Sequence, residues 1–251
     1  MNIELVDTHC HINFFNNAGD IALECEKNKV HTIYVTTLPS QFDKTYQYLE
    51  NLKYVYPSLG FHSLESNYNM DKEKQLFLQN IDNTRFIGEV GLDFSKKAIT
   101  EHDKQIEIFE FILSNIADKN KILSIHSASS EDKVLELLIK YGIKKAIFHW
   151  YSGKISTLKK ILENNYFFSI NEAMCKSKKG QNIISKLPMN KVLIETDAPF
   201  IKDVLPYKND FVYSYLSNIW NMTVNEVKRH TLDNFISLQN TPRKKILNTL
   251  F

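Results

Sequence analysis

Eight short runs rich in β-branched and aromatic residues recur along the chain, and longer stretches with helical patterning separate them. They are IELVD (3–7), TIYVTT (32–37), YVYPSLG (54–60), RFIGEVGL (85–92), ILSIH (122–126), AIFHW (146–150), YFFSIN (166–171) and KVLIETD (191–197). Between them, the segment 101–119 places Ile106, Phe109, Ile112, Leu113 and Ile116 on one face, and 131–140 does so with Val134, Leu135, Leu138 and Ile139. Spacing at i, i+3 and i+4 marks a helix with one buried side. Segments 211–220 and 224–238 are expected to be closing helices after the last strand. Eight strands alternating with helices in 251 residues predict an α/β fold of the (β/α)8 TIM-barrel type. Residues 1–251 read as a single domain, because no linker, repeat or low-complexity tract interrupts them. The competing fold is an open doubly wound sheet. Against it, the first strand runs into THCHINFF instead of a glycine-rich phosphate loop.

Composition narrows the partners. A hydrophobic content of 43% supplies one substantial core. The formal net charge is only +2, from 31 basic and 29 acidic residues, so no general attraction to nucleic acid follows and an anionic substrate must be gripped locally. Only three of the basic residues are Arg. The cysteines, Cys10, Cys25 and Cys175, are odd in number and widely spaced, which fits neither a disulfide framework nor a zinc finger. Cys10 lies between two histidines and is expected to point away from both and pack. Glu4 near the start and the lack of an apolar h-region argue against a secretory signal. No stretch approaches the roughly 18 apolar residues that cross a membrane, so a reducing cytoplasm is the expected location.

Barrel enzymes carry their chemistry at the C-terminal ends of the strands. Here the first strand ends in Asp7-Thr8-His9-Cys10-His11, the fourth carries Glu89, the fifth ends at His126, the sixth at His149 and the eighth at Asp197. With a side-chain period of two, His9 and His11 share a side, as do Glu89 and Asp93, and Glu195 and Asp197. Imidazole and carboxylate together suit Zn²⁺, Mn²⁺ or similar ions, and Mg²⁺ tolerates the carboxylates better than the histidines. Four histidines and two acids exceed what one catalytic ion with an open position needs. They suit two divalent ions about 3.5–4 Å apart, bridged by a carboxylate and clamping a phosphoryl group. Of the other histidines, His31, His102 and His230 receive no role, and His62 lies at the right rim to touch substrate.

At these residues the sequence resembles the TatD family of metal-dependent deoxyribonucleases, within the amidohydrolase-like barrels. The resemblance rests on DTHCH, IGEVGLDF, SIHS, FHWYSG and LIETDAPF, in the family's order along nearly the whole chain. FHWYSG and FFSINEAM further resemble the TatD-like nuclease component of the Qat anti-phage defence systems. The resemblance implies that His9, His11 and Asp197 bind a first metal. It implies that Glu89 bridges to a second metal completed by His126 and His149, and that Asp197 orients or deprotonates the attacking water. The implied substrate is DNA, as single strands or nicked ends, with other defence-system proteins as possible partners.

The departures bear on the substrate. Ala128 stands where the family usually has an arginine two residues past the strand-five histidine, and Phe94-Ser95-Lys96-Lys97 replaces the usual tyrosine–arginine pair. Ser63 follows His62 where the family often has proline. Arg grips phosphate bidentately and Lys only as a point charge, so Lys96, Lys97 and Lys202 are imperfect substitutes. Trp150 and Tyr151 are expected either to stack on a splayed base or to pack between the sixth strand and its helix. Glu195, Asp93 and Asp7 are expected to hold ligands in place. The basic runs SKKG (177–180) and PRKK (242–245) read as solvated faces. Two rivals remain on sequence grounds: a two-metal hydrolase of a non-nucleic-acid ester or amide, and a mainly structural subunit of a defence complex.

Overall fold

The computed structural model describes residues 3–62, 64, 65, 68–96, 98 and 100–240. Ser63, Lys97 and the basic run 242–245 lie outside the described residues. The strands are β1 (Leu5–Cys10), β2 (Val30–Val35), β3 (Val55–Leu59), β4 (Phe86–Gly91), β5 (Ile122–His126), β6 (Ala146–Phe148), β7 (Phe167–Ile170) and β8 (Val192–Ile194), one in each of the eight predicted runs. They form one parallel sheet in sequence order. The ring closes beyond the strand ends, where the Asp197 amide donates to the His9 carbonyl at 2.9 Å and the His11 amide to the Ala198 carbonyl at 2.8 Å.

The interior is filled in layers. Val6, Ile33, Val35, Phe86, Ile122, Ile147, Phe167 and Leu193 make one apolar cluster to which every strand but β3 contributes a buried residue, with Tyr56 of β3 against its edge. Above it, further inward positions carry small polar groups such as Ser124 and Ser169, and the rim follows. Strict alternation from inward Val6 would send His9 outward. A register slip between Asp7 and Cys10 reverses the phase, so His9 faces inward three residues on and Cys10 packs outside with Ala22 and Cys25. The same device recurs in β4. Ile87 and Val90 both face the outer helices across a second slip, which turns Glu89 inward.

The outer layer comprises α1 (Ala18–Lys27), α2 (Pro39–Leu49), α3 (Met70–Asn80), α4 (His102–Ile116), α5 (Glu131–Lys140), α6 (Ile155–Glu163), α7 (Glu172–Lys176), α8 (Lys178–Ile184), α9 (Asp210–Trp220) and α10 (Val224–Asn240). Local chemistry sets several of their starts: Asn69 accepts from the Lys72 amide, and Thr223 and Glu226 form a reciprocal capping box. Asn221, in the left-handed conformation at φ 53°, stops α9. Helix α10 plugs the N-terminal end of the barrel, with Phe235 and Leu238 joining the interior cluster. Arg85 and Lys145 donate to its Gln239 carbonyl, placing cations at the helix C-terminus. No described helix is long and apolar enough to cross a membrane.

Candidate metal centre

The ends of β1, β4, β5, β6 and β8 bring His9, His11, Glu89, His126, His149 and Asp197 to one buried site at the C-terminal rim. The arrangement turns on Glu89. Its Oε2 lies 3.4 Å from His11 Nε2 and 3.9 Å from His9 Nε2. Its Oε1 lies 2.9 Å from His126 Nδ1 and 3.0 Å from His149 Nε2. Asp197 joins the first set, with Oδ1 3.7 Å from His9 Nε2 and 3.6 Å from His11 Nε2. One carboxylate thus faces two separate groups of imidazole nitrogens. Asp197 and Trp150 have positive φ, 50° and 39°, a conformation rare outside glycine that turns the chain at the rim.

The donor set fits cations by its chemistry and spacing. The Nε2 atoms of His9 and His11 face each other at 3.1 Å, and His9 stacks on His149 with centroids 3.9 Å apart. Crowding imidazoles and carboxylates in a buried site leaves lone pairs directed at common points. The ligand atoms of His9, His11 and Glu89 lie within 4.8 Å of one another, and so do those of His62, Glu89 and His126. His11 Nδ1 and His62 Nδ1 are buried without a hydrogen-bond partner.

The protonation pattern follows burial and charge. Burial lowers His9 well below the usual imidazole range, with His149 adding repulsion, so the ring is neutral. Burial also takes His62 down to about 4. Burial would raise Glu89, but His62, His11, His126 and His149 together hold it well below the usual carboxylate range. Asp197 is raised to about 8 by burial, which His149 offsets in part and Glu195 and Glu89 reinforce. Burial would lower His149, yet Glu195 and Glu89 hold it well above its ordinary value.

The surrounding residues divide by what they touch. Asp93 Oδ2 lies 3.1 Å from His126 Nε2 and fixes that ring from the side opposite Glu89. Glu195 is fully buried, accepts from the Trp150 amide, the Asn171 side chain and the Ser169 hydroxyl, and stands 3.7 Å from His149 Nδ1. Asp7 grips the β8 end instead of a ligand ring, accepting from the Thr196 amide at 2.9 Å and its hydroxyl at 2.5 Å. His62, at the same rim, comes within 3.6 Å of Glu89 Oε1 and so stands beside the second nitrogen set. Trp150 is partly exposed, as stacking would need. Tyr151 is a correction: it is 1% exposed, packs on Phe148 and Phe168, and donates to the Lys154 carbonyl, so its ring has no face for a base. Lys96 and Lys202 are exposed.

Sequence reasoning missed Ser124, whose hydroxyl meets His9 Nδ1 at 2.8 Å and fixes which nitrogen faces inward. It also missed Ser169 and Asn171 around Glu195. Period-two spacing would have found Ser124, two residues before His126, and the pair two apart in FFSIN. Of the histidines given no role, His31 pairs with Glu4, His102 stacks on Phe94 and His230 meets Trp220.

A parallel barrel with buried histidines and carboxylates converging at its C-terminal rim is the architecture of a metal-dependent hydrolase. A family model described as TatD related DNase matches residues 6–240, and the chain belongs to that family. Human deoxyribonuclease TATDN3 is 27% identical over 259 residues, covering 94% of each chain. An uncharacterized metal-dependent hydrolase of Haemophilus influenzae is 31% identical over 211 residues, 78% of this chain and 81% of its own. The crystal structure of a TatD homologue from Escherichia coli superposes with a TM-score of 0.84 at 22% identity, covering 95% of this chain and 98% of that one. The chain is accordingly a hydrolase of the TatD type.

Proposed function

We propose that the chain hydrolyses phosphodiester bonds in DNA with two divalent ions. The observation that carries this reading is Glu89, whose two oxygens face two different sets of histidines. His9, His11 and Asp197 would hold one ion, and His126 and His149 the other, with Glu89 shared. Divalent ions there supply Lewis-acid stabilisation of phosphoryl oxygens and activation of water. Asp197, beside the first set and not held by three donors as Glu195 is, accepts the proton of the attacking water. Ser124 and Asp93 keep His9 and His126 in register, and Glu195 holds the loop that carries His149 and Trp150. Trp150 offers a ring to an unstacked base, and Lys96 or Lys202 a charge to the backbone.

Three free, buried cysteines fit a reducing cytoplasm. The likeness of FHWYSG and FFSINEAM to a Qat component would make invading phage DNA the substrate, with other defence proteins as partners. A second reading is favoured by Ala128, which stands where the family usually has an arginine: a two-metal hydrolase of a smaller ester or amide. The experiment strips metal with a chelator, restores Mg²⁺, Mn²⁺ or Zn²⁺, and follows labelled single- and double-stranded DNA beside ester and amide substrates. Metal-dependent DNA cleavage lost in Glu89→Gln and Asp197→Asn is the expected result. Cleavage that survives chelation and both substitutions defeats the mechanism, and turnover of esters alone favours the second reading.

A further inference from the structure

Two exposed phenylalanines flank the first nitrogen set. Phe14 closes a 3-10 turn (Ile12–Phe14) directly after β1, and Phe200 follows β8 through Asp197-Ala198-Pro199. Each is tied to a candidate ligand by one backbone bond: the Phe14 amide donates to the His11 carbonyl at 3.0 Å, and the Phe200 amide to the Asp197 carbonyl at 2.9 Å. Both rings make T-shaped contacts with the His11 imidazole, with centroids 5.6 and 4.9 Å away. The two ring centroids lie 5.3 Å apart, and the ring planes are tilted by 54°. They are 45% and 58% exposed, although most phenylalanines of this chain are buried.

We infer that Phe14 and Phe200 form a stacking platform for the nucleobase nearest the scissile phosphate. The inference rests on the phosphodiesterase reading and names residues that this reading leaves unused. In a nucleotide the base lies one sugar from the phosphate, so a phosphate held beside His11 brings a flat aromatic ring within reach of this pair. Stacking needs an exposed π face and no hydrogen-bond readout, and it tolerates every base. It also offers adhesion that does not depend on the arginine that Ala128 replaces.

The test is calorimetric titration of the metal-loaded protein with two short phosphorothioate-linked oligonucleotides of equal length, one with all its bases and one fully abasic. In the wild-type protein the abasic strand binds more weakly, by about 5- to 100-fold. In the double variant Phe14→Ala/Phe200→Ala that ratio falls, leaving only the share that Trp150 supplies. Phe200→Trp preserves the ratio, and Phe200→Leu, which keeps apolar bulk without a π face, lowers it. Tyr48→Ala, an exposed aromatic on α2, leaves it unchanged. A ratio near one in the wild type, an unmoved ratio in the double variant, or full retention by Phe200→Leu overturns the inference. Cleavage assays on ordinary DNA run beside it separate the two readings. A base-dependent ratio without cleavage refutes hydrolysis alone, and cleavage with an unmoved ratio refutes the platform alone.

Discussion

Asp93 holds the far side of the His126 ring, Oδ2 to Nε2 at 3.1 Å, while Glu89 faces the near side, Oε1 to Nδ1 at 2.9 Å. Two carboxylates on one strand and its loop thus clamp a single imidazole through both nitrogens. Asp93 is itself drawn down to about 2: burial would raise it, but His126 and Ser95 outweigh that. On the two-metal reading, this contact would fix which nitrogen of His126 turns to the centre. Asp93→Asn keeps the shape and removes the charge. We expect metal affinity to fall about 10- to 100-fold with little change in folding stability. Metal titration of the purified variant measures this, and an unchanged affinity would show that Glu89 alone orients the ring.

Glu195 is the counterpart on the other side of the site. Three donors converge on its carboxylate, from Trp150, Ser169 and Asn171. Its removal leaves those donors buried and unpaired, at about 1–3 kcal/mol each. Glu195→Ala is therefore expected to destabilise the metal-free chain by about 3–5 kcal/mol, with Glu195→Gln between it and the wild type. Urea unfolding measures both. A loss below about 1 kcal/mol in the alanine variant would mean that water satisfies the donors.

The sequence marks which strands bear the chemistry but not how their side chains aim inward. The barrel was legible in the eight runs, and the residue types at their ends named the chemistry. The phase of β1 and β4 was not, because a register slip adds a residue without leaving a hydrophobic mark. From Val6 and Phe86, strict alternation points His9 and Glu89 at the helices, and only the slips turn them inward. In β5, β6 and β8 the period runs unbroken from Ile122, Ile147 and Leu193 to His126, His149 and Glu195, and there the pattern suffices. The exposure of Phe14 and Phe200 and the burial of Tyr151 depend on tertiary packing, which no local pattern encodes.

Metal uptake should be coupled to proton release. Asp197 holds its proton up to about 8 in the metal-free fold, against 3.8 for an ordinary aspartate. A raised carboxyl pKa favours the metal-free fold fully below the ordinary value, and that contribution is lost as pH rises through the folded value. His149 and His126 are raised as well: burial would lower both, but Glu195 and Glu89 raise His149, and Asp93 and Glu89 raise His126. All three must give up protons to act as ligands, whereas His9 and Glu89 are already deprotonated. Apparent affinity should therefore climb as pH rises toward about 8. Calorimetry in buffers of differing ionisation enthalpy counts the protons, and binding heats that do not vary with buffer at neutral pH would contradict the assignment.

At the opposite end, Phe235 of α10 fills the barrel floor as side chains fill other sealed barrels. Its ring lies 5.5 Å from His31, 5.9 Å from Tyr56 and 6.4 Å from Phe86, centroid to centroid, and it is fully buried. Helix α10 is also pinned through Asn234, which donates to the Met189 and Val192 carbonyls, so the plug cannot easily slide to refill a void. Phe235→Ala should cost about 3–5 kcal/mol, at the level of a core aromatic whose cavity does not collapse. The metal centre stands at the other rim, so metal stoichiometry should be retained while the urea midpoint falls. A loss under about 1 kcal/mol would mean that α10 covers the barrel without supporting it, and a simultaneous loss of metal would mean that the floor and the rim are coupled through the strands.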